Sequence, residues 1–162
     1  MDDFRTQKLY QSFPTIYRER LMTLTQSEMP RGFQCGNGWY EIICGVSANL
    51  EVIARKQDDD DNKIAVAEVR AAGNNLIFRL NNNSLPHPAV EKFISSAQQR
   101  CQYTCEICGY SPAFLRNDEV VKNKVCCDRC TKAKKKTARR PGRLGRKDHS
   151  SPPEVLTKTR RS

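Results

Sequence analysis

The chain is short of several things. It has no run of about 18 apolar residues, which excludes a membrane-spanning helix. Its apolar content is 38%, below the usual share for a compact domain, so part of the 162 residues is expected to stay unpacked. The first residues, Met1-Asp2-Asp3-Phe4-Arg5, are acidic and polar, unlike a secretory signal. Histidine occurs only at His87 and His149, neither of which is near in sequence to the paired cysteines where a zinc-supported nuclease would want a general base. Residues 131–162 contain no aromatic side chain, so that segment has nothing on which a nucleic-acid base can stack.

Cysteine, by contrast, is plentiful, with eight in the chain. Four fall into two pairs, Cys105-Glu106-Ile107-Cys108 and Cys127-Asp128-Arg129-Cys130. Two Cys-x-x-Cys pairs across a short loop supply four sulfurs to one tetrahedral centre, the spacing of a structural Zn2+ site. Gly109, directly after the first pair, suits the positive φ of a knuckle turning around a metal. Cys126 is the alternative to Cys127, but it makes a three-residue gap to Cys130, and the two-residue gap is the commoner geometry. A thioredoxin-like use of one pair would leave the other without a role. Tyr110–Leu115 and Val120–Cys126 read as two strands joined at residues 116–119, which makes the unit a zinc ribbon.

The remaining cysteines read differently. Cys44 is expected as a small apolar residue in a helix, and Cys35 as either buried or a free surface thiol. Cys101 continues an apolar stripe, so burial is the expectation and competition for the metal the alternative.

Ahead of the ribbon the periodicity alternates between types. Leu9, Tyr10, Phe13, Ile16, Tyr17 and Leu21 recur at three and four, interrupted by Pro14, and predict one or two short helices. Trp39, Ile42, Ile43, Val46, Leu50 and Ile53 line one face of a helix starting near Trp39. Asn37 is its expected N-cap, with Gly38 allowing a tight entry. Asp58 to Asp61 lack the alternation, glycine and distant glutamate of a calcium loop and read as a solvated connection. Ile64–Arg70 and Leu76–Leu80 alternate about a Gly73-Asn74-Asn75 turn, a β-hairpin. Pro86 and Pro88 open a second helix carrying Val90, Phe93, Ile94, Ala97 and Cys101 on one face.

The expected fold class is therefore α+β, a small helix–hairpin–helix domain over 1–104, a zinc ribbon over 105–130, and a disordered basic tail over 131–162. Charge supports that division. Twelve of the 28 basic residues and two of the 18 acidic ones lie in 131–162, so the whole net charge of +10 sits there, and 1–130 is neutral. Lys132, Lys134, Lys135, Lys136, Arg139, Arg140, Arg143, Arg146 and Lys147 are the candidate nucleic-acid-binding residues. Their contacts would be to phosphate, salt-dependent and without sequence specificity, with DNA or RNA as partner.

Leu9-Tyr10, Pro14, Arg20, Gly32-Phe33, Cys35-Gly36-Asn37-Gly38-Trp39-Tyr40, Leu76-Ile77-Phe78 and Cys105-Glu-Ile-Cys-Gly form a pattern. It resembles a family of small phage and prophage proteins without an established activity. In that family a Gly-Phe-x-Cys-Gly-Asp-Gly-Trp segment precedes a helix, a hairpin, a second helix and a zinc-ribbon-like end. The resemblance covers roughly residues 8–130. Asn37 stands where the family usually has Asp, the Glu68–Leu80 hairpin lacks its Lys-rich Phe-Gly turn, and the long basic tail is an addition. The resemblance implies a bacterial host and a location in its cytoplasm.

Four thiolates close a metal site, whereas a catalytic zinc keeps a position for water. Glu106 lies between two ligands but lacks the histidine motif of a nucleobase deaminase. No catalytic residue is assigned, and the expectation is a non-enzymatic accessory protein binding nucleic acid through tail and ribbon. The alternative is an adaptor or inhibitor of a host protein, acting through the Trp39 region or the ribbon surface.

Overall fold

The structure is a computed structural model that describes residues 1–58, 63–81, 87–117 and 119–138. It is α+β, with four α-helices and two small antiparallel sheets among the described residues. Helix α1, Asp3–Ser12, starts on Asp2, whose carboxylate accepts from the Arg5 N–H at 2.9 Å, and stops before Pro14. A 3-10 turn over Arg18–Leu21 then rotates the apolar stripe. Ile16 and Tyr17 stay fully buried while Leu21, expected on the same face, is 81% exposed.

Segment 14–17 is held from below by helix α2, Tyr40–Arg55. The buried Glu51 carboxylate accepts from the Thr15 and Ile16 N–H groups at 3.2 and 3.0 Å and from Arg55 Nε at 2.9 Å. Tyr17 Oη reaches Ser47 Oγ at 2.6 Å. Tyr10, Tyr17 and Phe33 pack ring on ring at 5.1 to 5.8 Å between centroids. Aromatic pairing of this kind adds to the burial energy of the rings.

Entry into α2 differs from expectation. Asn37–Trp39 form a 3-10 turn, and Asn37 does not cap the helix. Its side chain instead accepts from the Asp2 N–H at 2.8 Å and donates to the Asp2 carboxylate at 2.7 Å, tying the start of α1 to this turn. Trp39 is fully buried, so its ring offers nothing to a partner.

The hairpin pairs β1, Val66–Ala72, with β2, Asn75–Leu80. Ala72 pairs with Asn75, so the turn is the two residues Gly73-Asn74, with Gly73 at φ +63. Residue 34 adds one rung to the edge of β1, through Gln34 N–H to Val69 O and Ala71 N–H to Gln34 O, both 2.9 Å. Helix α3, Pro88–Cys101, has Pro88 in its first turn and His87 as N-cap, with the imidazole Nδ1 accepting from the Ala89 N–H. It packs against α2 and β2, and Cys101 is fully buried.

The C-terminal unit pairs β3, Phe114–Arg116, with β4, Lys124–Cys126, in register Phe114 to Cys126. These strands are shorter than the sequence suggests. Pro112 has no N–H for a ladder, which places the start of β3 beyond it. A larger correction concerns the segment after Cys130. Helix α4, Asp128–Ala138, runs through Lys132, Lys134, Lys135 and Lys136, where the composition predicts a disordered tail from 131. Its first turn contains Cys130, and Thr131 anchors it by donating both N–H and Oγ1–H to Cys127 O at 3.0 Å. Arg139, Arg140, Arg143, Arg146 and Lys147 lie outside the described residues, as do Asp59–Asp61. One continuous set of buried residues runs from Leu9 through Trp39 and Cys101 to Cys127. No helix of the described residues is long and apolar enough to cross a membrane.

Candidate metal centre

Three separate elements deliver the four sulfurs. Cys105 and Cys108 sit on a knuckle that follows α3, closed by Cys105 N–H to Tyr110 O and Gly109 N–H to Cys105 O, both 2.8 Å. Gly109 has the positive φ, +79, that the turn requires. Cys127 follows β4, and Cys130 is in α4. Glu106 N–H donates to Val125 O at 2.8 Å and locks the first knuckle to β4.

The Sγ atoms of Cys105, Cys108, Cys127 and Cys130 all lie within 4.8 Å of one another. Cys108 and Cys127 are 3.7 Å apart. Sulfurs about 2.3 Å from a tetrahedral centre stand about 3.8 Å apart, so the set fits a four-thiolate ion. Cys127, rather than Cys126, joins the group.

The environment sorts the thiols further. Burial raises the Cys105 thiol, but N–H groups of Cys127, Cys108 and Ile107 aimed at its sulfur outweigh burial and bring it down to about 7. Such donors stabilise a thiolate, the form a metal binds. Cys108 and Cys130 are pushed up, chiefly by burial, and at Cys130 the neighbouring thiols add to it. Four sulfurs this close repel one another when ionised, and a central dication removes that repulsion. Cys35 and Cys101 are driven up to about 12 and Cys126 to about 11, each chiefly by burial, which keeps them as inert core thiols. Cys44 is half-buried on α2.

Sequence reasoning missed the groups that bind the metal unit to the rest of the fold. Glu106 is completely buried. Its Oε1 accepts from the Gly36 N–H at 2.9 Å and pairs with Lys124 Nζ at 2.5 Å. The Gly38 N–H donates to Glu106 O at 2.8 Å, and Trp39 Nε1–H to Thr104 O at 2.8 Å. Gly36 and Gly38 are needed for contact rather than for turning. A Cβ on Gly36 would stand 2.1 Å from Glu106 O, and one on Gly38 would stand 2.1 Å from Cys105 O and 2.4 Å from Gly109 N. The Cys35-Gly36-Asn37-Gly38-Trp39 segment is thus the cradle of the knuckle. Its two glycines around a single residue are the visible signal, although in a lone sequence they look like a simple break between elements.

Of the two histidines, His87 caps α3 and is not in the cysteine group, while His149 lies outside the described residues. On α4, Lys132, Lys135 and Lys136 are exposed, and Lys134 is half-buried and lines a hollow with Lys124 and Glu106. Comparison of the chain with protein-family models, with curated proteins and with solved structures finds no match.

Proposed function

We propose that Cys105, Cys108, Cys127 and Cys130 hold a structural zinc ion, and that the chain is a non-enzymatic, phage-type accessory protein. In this reading it binds DNA or RNA without sequence specificity, through the ribbon and the basic segment that follows, in the cytoplasm of the host cell. The observation that carries it is the continuity of the cysteine group with a cationic helix. Cys130 stands in the first turn of α4, and Lys132, Lys134, Lys135 and Lys136 follow on the same helix. Zinc in a closed thiolate site supplies folding energy rather than a reactive water, with on the order of 10 kcal/mol of apparent binding energy in zinc-finger peptides. This chain's part is to present the thiolates, Cys105 most readily, and to hold both knuckles to α3 and α4. The remaining cations, Arg139, Arg140, Arg143, Arg146 and Lys147, extend the charge along the sequence.

The test is binding of the full, metal-loaded chain to DNA and RNA over a salt series. Binding that weakens steeply with salt is expected. Replacing the four α4 lysines by glutamine reduces the slope of log K against log salt by about three units. Absence of binding at low salt would end this reading.

A second reading, a partner protein of the host, is favoured by Leu21, Met22 and Leu24, which are exposed within one short stretch. Charge substitutions on α4 would leave such a complex intact, and loss of it on Leu21→Ser with Leu24→Ser would identify the surface.

A further inference from the structure

Nine large apolar side chains are exposed among the described residues, and four of them, Tyr103, Tyr110, Phe114 and Leu115, fall in 13 residues around the first knuckle. Three are flat rings, each more than half exposed. They are carried on rigid backbone. Tyr110 O is bonded to the Cys105 N–H, Tyr103 O accepts from the Ala113 N–H, and Phe114 is the first residue of β3.

Two hollows meet at Cys108. A groove of about 730 Å³ runs between α2, α3 and the knuckle, with Arg5, Tyr40, Arg100 and Tyr103 in its wall. A second hollow of about 500 Å³ lies across Cys108, lined by Tyr110, Pro112, Phe114 and Arg129. The charges along this path favour a polyanion. Arg100 and Arg129 are exposed, and Arg129 stands in the first turn of α4, the helix that goes on to Lys132–Lys136. Asp128, the acid in the second hollow, is paired with Arg116. Glu41 is the acid in the first. One face of Phe114 is approached by the Arg116 guanidinium at 5.9 Å from the ring centroid.

We propose that this face is a stacking platform for single-stranded nucleic acid, with bases on Tyr110 and Phe114 and phosphates on Arg100 and Arg129. The inference rests on the nucleic-acid reading above and narrows it from any polyanion to an unpaired strand. Bases in a duplex are covered by their neighbours and cannot lie on these rings, whereas an open strand presents a π-face at every base. The ring pair supplies what the aromatic-free C-terminal segment lacks, and Arg129, in the first turn of α4, brings a cation to the same hollow.

The experiment measures fluorescence anisotropy of labelled oligothymidylate, of oligouridylate of the same length and of a matched duplex, with the full, metal-loaded chain at low salt and over a salt series. Both single strands are expected to bind at least about tenfold more tightly than the duplex. Tyr110→Ala and Phe114→Ala each weaken single-strand binding about fivefold or more, with the salt slope unchanged, since the loss is of stacking and not of charge. Tyr110→Phe and Phe114→Tyr keep the affinity. Both side chains are exposed, so metal content and melting temperature should hold in all four variants. Equal affinity for duplex and single strands, with alanine variants indistinguishable from the parent, overturns the platform and leaves the electrostatic reading standing. No binding to any of the three overturns both. Alanine variants that change the sedimentation coefficient and not the affinity assign the rings to self-association and also overturn the platform.

Discussion

Alanine at Gly38 gives the sharpest test of how the metal unit is joined to the fold. The new methyl would lie 2.1 Å from Cys105 O, 2.4 Å from Gly109 N and 2.8 Å from Cys108 N. All three are backbone atoms of a knuckle that is itself closed by hydrogen bonds, so no side chain can swing aside. Two estimates of the cost agree. Forcing a methyl into a filled site costs about 1–3 kcal/mol, and contact with three fixed atoms belongs at the upper end. Relieving the clash by moving the two segments apart would break the Gly36 and Gly38 N–H bonds and the Trp39 indole bond, at about 1 kcal/mol each. A loss of about 3 kcal/mol lowers the melting temperature of a chain this size by about 10 °C. Gly45 is the matched control. It lies inside α2, and a methyl added there would have nothing within 4 Å, so Gly45→Ala removes helix-disfavouring flexibility and should add up to about 1 kcal/mol. Thermal melts of the two variants read opposite signs, and competition with a chelator reads weakened metal retention in Gly38→Ala alone. If Gly38→Ala melts with the parent protein and holds its metal equally well, the cradle is not as described.

Metal content distinguishes the ligands: Cys105→Ser and Cys130→Ser lose the ion, while Cys126→Ser retains it, and full stoichiometry in Cys130→Ser would refute the ligand set. Trp39, the one tryptophan, reports on the metal from a distance. Chelation is expected to shift its emission to the red as the Thr104 contact opens, and an unchanged spectrum after complete metal removal would show that the cradle survives alone. Glu51→Ala leaves the Thr15 and Ile16 N–H groups without their acceptor, and urea unfolding should show a loss of about 2 kcal/mol, against little change for exposed Glu41→Ala.

What the sequence discloses follows the range of the interaction. The stripe from Trp39 to Ile53 and the two Cys-x-x-Cys pairs are local periodicities, and they reappear as a helix and a cluster of four sulfurs. The choice of Cys127 over Cys126 follows from spacing alone, because the extra residue turns the Cys126 thiol into the core. Leu21 and Asn37 depart from expectation because each depends on a distant partner or a change of helix type: a 3-10 turn swings Leu21 outward, and Asp2 captures the Asn37 amide. Lys132 to Lys136 read as unstructured since their composition cannot bury a face. The helix they form starts at Asp128 and is tied at Thr131 to Cys127 O. Glu106 and its link to Gly36 span 70 residues, and no short-range pattern announces it.

That 70-residue span also sets an order of events. Bringing positions 36 and 106 together costs chain entropy of about 4 kcal/mol before the contact returns anything. The ligands, in contrast, lie within 26 residues of sequence, so a metal ion can close the knuckles locally and present the completed surface to Gly36 and Gly38. The ribosome makes the cradle first and Cys130 late. The Gly36–Trp39 segment therefore meets its partners at Thr104 and Glu106 only after most of the chain has been made, and under the proposed metal reading an ion that closes the knuckle would favour that late docking.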